Sequence, residues 1–106
     1  MIPPSEPISE TLKDLKLKLP SIKDGDLLAN AKNLRIYWRR NNSRSNILQI
    51  YLYREEIKSR LSNLSLKRKI FYMRRFSNFI KEINKFFYIK KIDEDYLNDQ
   101  IKKQIT

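Results

Sequence analysis

Large apolar side chains recur every third or fourth residue along most of this chain, and that spacing fits amphipathic helices. Ile50, Tyr53, Ile57, Leu61 and Leu64 mark one face of a helix from about Asn46 to Leu64. Met73, Phe76, Ile80, Ile83 and Phe87 mark the inner stripe of a long helix from about Leu66 to Lys90. Phe79, Phe86 and Ile89 widen that stripe, so this helix is expected at the centre of the core. Leu27, Ala31, Leu34 and Trp38 give an earlier helix from about Leu27 to Arg40, with Asp26 as its N-cap. Asp93 is the expected N-cap of a last helix, with Glu94 and Asp95 at its positive end and Lys102 and Lys103 at its negative end. Leu97, Ile101 and Ile105 face inward there. The polar run Asn41 to Ser45 reads as a turn, Ser45 can cap the helix after it, and Ser62 to Ser65 break the chain again. Pro3, Pro4 and Pro7 make the start an extended tail. Leu12, Leu15 and Leu19 fit a short helix closed by Pro20, although the alternation from Leu15 to Leu19 also fits a strand. The expected architecture is all-α: a small four-helix domain over residues 27–106, preceded by an N-terminal extension over 1–26 that starts as an extended tail.

Several functions are excluded by what is missing. There is no Cys, hence no disulfide and no thiolate metal site. There is no His, the commonest general base and metal ligand. Gly25 is the only glycine, so Gly-rich phosphate loops are ruled out. Glu55 and Glu56 are neighbours on a helix and cannot converge on one substrate. A serine nucleophile would need an unusual base such as Lys. Catalysis, a cofactor and a small-molecule substrate are therefore not expected. No apolar run approaches the length that spans a bilayer, and the first residues lack the pattern of a secretory signal.

The net charge of +11 points instead to a polyanionic partner. It is concentrated in residues 35–91, where sixteen Lys and Arg face three Glu, a net of +13. Residues 1–34 are neutral and residues 92–106 carry a net of −2. Within the basic block, Arg35, Arg39, Arg40 and Arg44 lie at one helix end and in the turn after it. Lys67, Arg68 and Lys69 open the long helix, followed by Arg74 and Arg75. Such groups neutralise phosphates and release counterions, and Arg can hold a phosphate bidentately. Ser43, Ser45, Asn41 and Asn42 sit among these charges and can hydrogen-bond sugar hydroxyls or base edges. The plain alternative for each cluster is a solvated helix face. Phe76, Phe79 and Phe87 lie on the apolar stripe and are expected in the core, whereas Tyr37, Trp38 and Tyr72 are open between core and stacking.

From Ser43-Arg44-Ser45-Asn46-Ile47-Leu48-Gln49-Ile50 onward, the chain resembles the ribosomal protein S fifteen family of the small subunit. That family has an Asp-Thr-Gly-Ser turn and then a helix opening with an acidic-apolar-Gln-Ile/Val pattern, where this chain has Asn42 to Ser45 and Leu48-Gln49-Ile50. The family's Leu and Ile framework is similar to Ile57, Leu61 and Leu64. Its basic loop (His-Lys-Lys-Asp, a Ser, then Arg-Gly) is similar in order to Lys67-Arg68-Lys69-Ile70, Met73 and Arg74-Arg75. Its acidic-Tyr element and final helix resemble Lys90 to Leu97. The resemblance covers roughly residues 27–105 and matches order more than identity. Taken with the basic clusters, it implies RNA contacts through Arg35, Arg39, Arg40, Ser43, Arg44, Ser45, Gln49, Lys67, Arg68, Lys69, Tyr72, Arg74 and Arg75. It also implies small-subunit ribosomal RNA and neighbouring ribosomal proteins as partners. The family's turn Gly is Arg44 here, its loop His is Lys67, its loop Asp is Ile70 and its loop Ser is Met73, which weakens specific readout. Such divergence, with a composition heavy in Ile, Lys, Asn, Phe and Tyr, suits an organellar (mitochondrial) ribosome or the cytoplasm of an organism with an A/T-rich genome.

A rival resemblance starts at Leu52-Tyr53-Arg54, the tripeptide of the small mitochondrial LYR proteins, with Phe79 as the family's downstream Phe. It implies a helical adaptor that binds an acyl carrier protein and assists respiratory or iron–sulfur assembly. The family places the tripeptide near the N-terminus, whereas about fifty residues precede it here.

Overall fold

The computed structural model describes residues 8–40 and 44–105, and the chain is a small all-α domain. Among the described residues five α-helices follow one another: α1 Ile8–Lys18, α2 Asp24–Arg40, α3 Arg44–Ser62, α4 Leu66–Ile89 and α5 Glu94–Ile105. A 3-10 turn, Leu19–Ser21, follows α1, with Pro20 in its opening positions. There is no strand among the described residues. The expected tail over Met1 to Pro7 lies outside them, as do Asn41 to Ser43.

Helix α1 settles the choice between helix and strand around Leu15. A strand would turn Leu15, Leu17 and Leu19 to one face. Instead Leu12 in α1 and Leu19 in the 3-10 turn are buried, and Leu17 is 81% exposed. The described part of the segment read as an extension thus adds two side chains to the common core, and α1 packs along α5.

The centre of the bundle is α3, not α4. Helix α3 touches α1, the 3-10 turn, α2, α4 and α5, and it is buried round most of its circumference. Tyr51, Leu52 and Tyr53 are consecutive and all buried, which only a helix wrapped on several sides allows. Helix α4 covers one side through Phe76, Phe79, Ile83 and Phe87, each at most 1% exposed. Two residues assigned to its stripe lie outside the core: Met73 is 52% exposed and Ile89 61%. At 100° per residue, Met73 sits roughly 80° round the helix from Ile83, and Ile89 well past it on the other side.

The helix ends follow local chemistry. Helix α2 begins two residues before the expected cap: the Leu27 amide donates to the Lys23 carbonyl at 2.8 Å, so Asp26 stands inside the first turn. Ser65 caps α4, its hydroxyl accepting from the Arg68 amide at 3.4 Å. Asp93 caps α5, its carboxylate accepting from the Asp95 and Tyr96 amides. Helix α4 ends in a Schellman turn. The Ile92 amide donates to the Phe87 carbonyl at 2.9 Å and the Lys91 amide to the Tyr88 carbonyl at 3.1 Å. Lys91 pays for this closure with a φ of 55°, a region glycine would occupy without strain.

Two arginines brace the bundle from inside. Arg54, 2% exposed, lies between the rings of Tyr51 and Phe87 and donates to Asn84 on α4 at 2.8 Å. It also pairs with Glu55 and with Glu94 on α5, so one guanidinium joins three helices. Arg60 donates to Asp24 at 2.9 Å and to the Leu19 carbonyl at 2.8 Å, which ties the end of α3 to the start of α2 and to the 3-10 turn.

Candidate nucleic-acid interface

The residues expected to bind RNA separate into two sets at opposite ends of α3. Its 19 residues place Arg44 roughly 27 Å from Ser62, close to the start of α4. The two sets therefore cannot act as one pocket. They can act as two contact points along one face of a large partner.

At the first end, Arg44 is exposed and donates to the Gln100 side chain on α5. Ser45 and Gln49 satisfy each other, the Gln49 amide donating to the Ser45 hydroxyl at 3.0 Å. Ser45 is thus one residue inside α3 rather than its cap. Arg39 and Arg40 stand in the last turn of α2, but their side chains and the whole of Ser43 lie outside the described residues. Arg35 is no free cation. It pairs with Glu82 on α4 at 2.7 Å and lies 5.4 Å from the Phe86 ring centre, so it braces α2 against α4.

At the second end, Arg68 is also engaged. Its Nε and Nη2 donate to the two carboxylate oxygens of Asp24, both at 2.7 Å. Arg60 shares the same carboxylate, and the Arg68 hydrogen bonds lead in holding the Asp24 pKa below its ordinary value. A cleft of about 590 Å³ opens beside this triad, lined by Gly25, Glu56, Asn63 and Tyr72 among others. Its two arginines already hold a carboxylate, and its third cation, Lys23, is exposed and forms no ion pair with a described residue. Tyr72 is half-buried and stacked on Phe76, with ring centres 5.5 Å apart, so it belongs to the core margin.

Lys67, Lys69, Arg74 and Arg75 are different. All four are exposed, and none forms an ion pair with a described residue. The positions that the ribosomal resemblance matched to a basic loop, Lys67 to Ile70 and Met73, are helical here and belong to α4. Two further cations, Lys81 and Lys85, were outside the clusters read from the sequence and share this state. Seven residues fall about 20° short of two helical turns. Lys67, Arg74 and Lys81 therefore lie nearly in line, and Lys85 rejoins the line one turn on. This ridge follows the outermost edge of α4, opposite Phe76, Phe79, Ile83 and Phe87, over roughly 27 Å. The signal was present in the sequence as the spacing 67, 74, 81 and 85, on the side of α4 away from the apolar stripe.

Leu52, Tyr53 and Arg54, the tripeptide of the rival resemblance, are 8%, 8% and 2% exposed, so all three side chains are part of the interior. Among the described residues no group of His, Cys, Asp and Glu can hold a metal ion, and no helix is long and apolar enough to cross a membrane. No family model, curated protein or solved structure matches this chain.

Proposed function

We propose that this protein is an RNA-binding structural component of a ribonucleoprotein, with α4 laid against the phosphate backbone of a folded RNA. One observation carries the reading: six exposed cations on α4, Lys67, Lys69, Arg74, Arg75, Lys81 and Lys85, lack acidic partners among the described residues, on a chain of net charge +11. Cations so arranged repel one another, and a polyanion relieves the repulsion while releasing its own counterions. Arg44 supplies a second contact point at the far end of α3.

The resemblance to the ribosomal protein S fifteen family supports small-subunit ribosomal RNA, in an organellar ribosome, as that RNA. Of the residues this resemblance implied, Lys67, Lys69, Arg74, Arg75 and Arg44 keep an RNA-facing role, with Lys81 and Lys85 added. Arg35, Arg68 and Tyr72 become supports that hold α4 in place.

The test is RNA binding by fluorescence anisotropy over a series of salt concentrations, for wild type and for Lys81→Ala with Lys85→Ala. Each phosphate that is no longer neutralised should flatten the dependence of log affinity on log salt by about one unit. Sequencing of RNA crosslinked to the native protein should enrich one small-subunit junction. An unchanged slope in the double variant would refute the ridge as the contact surface.

A further inference from the structure

Beside the cationic ridge runs a second line of side chains, which an RNA backbone does not explain. Leu66, Ile70 and Met73 are 81%, 75% and 52% exposed. Their spacing, i, i+4 and i+7, places them on one narrow stripe over two turns of α4, the geometry of a short helix-pairing seam. Exposed apolar side chains scattered singly need no explanation, but three in register on one helix face do. None of the three is aromatic, so they offer unpaired bases no stacking surface.

The positions flanking the seam are all basic. Lys67 and Arg74 border it on one side and Lys69 on the other, and none has an acidic partner among the described residues. These are the flanking positions whose charge selects the partner in paired helices. A second copy of this seam would bring Lys67, Lys69 and Arg74 against like charges, so self-pairing is disfavoured. The complement is a helix with an apolar stripe and Glu or Asp on both of its borders.

We infer that Leu66, Ile70 and Met73 form the docking seam for an acidic amphipathic helix of a partner protein, recognised by its apolar stripe and by the three flanking cations. The inference goes beyond the RNA reading, since it concerns apolar side chains that phosphates would leave in water. It draws Lys67, Lys69 and Arg74 away from RNA when the helix is docked, and leaves Lys81 and Lys85, two to three turns farther along α4, available to RNA.

A synthetic two-heptad peptide with Leu at the seam positions and Glu at the flanks is the probe. The full chain, labelled with a fluorophore, is titrated with this peptide and with its twin carrying Lys at the flanks. The inference expects the Glu peptide to bind about tenfold or more tighter than the Lys peptide. It also expects Ile70→Ser to weaken that binding about tenfold, the scale of losing one buried aliphatic side chain. Ile70 is exposed, so circular dichroism should show the Ile70→Ser fold intact. Lys81→Ala with Lys85→Ala should leave peptide binding unchanged. Equal affinity for the two peptides, or indifference to Ile70→Ser, would overturn it. So would a seam that ignores the Glu peptide while Ile70→Ser releases the protein from phosphatidylglycerol vesicles or from duplex RNA.

Discussion

Replacing Asp24 by Asn should loosen the fold and strengthen RNA binding in the same molecule. Asp24 begins α2 and holds Arg60 from α3 and Arg68 from α4, so its carboxylate is the knot between three helices. The side chains of Asp24 and Arg60 are 13% and 12% exposed, which limits screening of that pair. A charge-assisted hydrogen bond in such a setting contributes about 1.5 kcal/mol. Arg68 is well exposed, so its own bonds are weakened by solvent and add nothing to this figure. For a domain of this size, about 1.5 kcal/mol lowers Tm by roughly 6–12 °C. Because its folded pKa is depressed, Asp24 stabilises fully above its unfolded value of 3.8. That stabilisation is lost as pH falls through the lower folded value. The gap between wild type and Asp24→Asn, measured by thermal and urea denaturation, should be full at neutral pH and close as the acid range is entered. Loss of the carboxylate also frees Arg68 beside the ridge, so RNA affinity should rise at low salt. A gap that is absent at neutral pH, or that persists unchanged below the folded pKa, would refute the triad as a stabilising centre.

Arg54→Ala removes a guanidinium packed between two rings and bonded to two other helices, and should destabilise by roughly 3–5 kcal/mol in urea denaturation. Lys91→Gly relieves a left-handed backbone at the end of α4 and should stabilise by about 1 kcal/mol by the same assay. Tyr51 has its pKa pushed up to about 12, chiefly by burial and then by Glu55. The unfolded chain therefore deprotonates first, and stability should fall as pH rises from about 10 towards 12, with tyrosinate absorbance showing Tyr51 titrating late, as does Tyr53, whose pKa burial also raises.

Much of the fold was legible because helical periodicity survives in the sequence. The stripes of α3 and α4 were read at Ile50, Tyr53, Ile57, Phe76, Ile83 and Phe87, and all of these are buried. The cap at Asp93 was also legible, since capping is a local event. What failed was whatever depends on a distant partner. Arg35 and Arg68 look like any other cation in sequence, but their acids, Glu82 and Asp24, are 47 and 44 residues away. Helix α3 was not recognised as the centre because its apolar residues on one face were counted, whereas Tyr51, Leu52 and Arg54 face other helices. Met73 continued the spacing of the inner stripe, yet the core does not extend to that side of the first turns of α4, so it stays in water.

Stability and function should respond with opposite signs at the two kinds of cation in this chain, which makes the assignment of each residue testable with one pair of assays. Arg35, Arg54, Arg60 and Arg68 face carboxylates, so neutralising any of them removes attraction and weakens the fold. Lys81 and Lys85 stand one turn apart on the outer face of α4, and Glu82 between them in sequence is already held by Arg35, so the like charges at this spacing cost about 0.2–0.5 kcal/mol. Neutralising Lys85 with Gln should therefore stabilise the free protein by a few tenths of a kcal/mol, and salt should diminish that gain by screening. The same change should weaken RNA binding and lower its salt slope by about one unit. A chain whose only use for Lys85 was solubility would have no slope to lose. A chain that used Lys85 to hold its fold would become less stable when it was replaced. Only a residue kept for an external polyanion combines higher stability with weaker, less salt-sensitive binding.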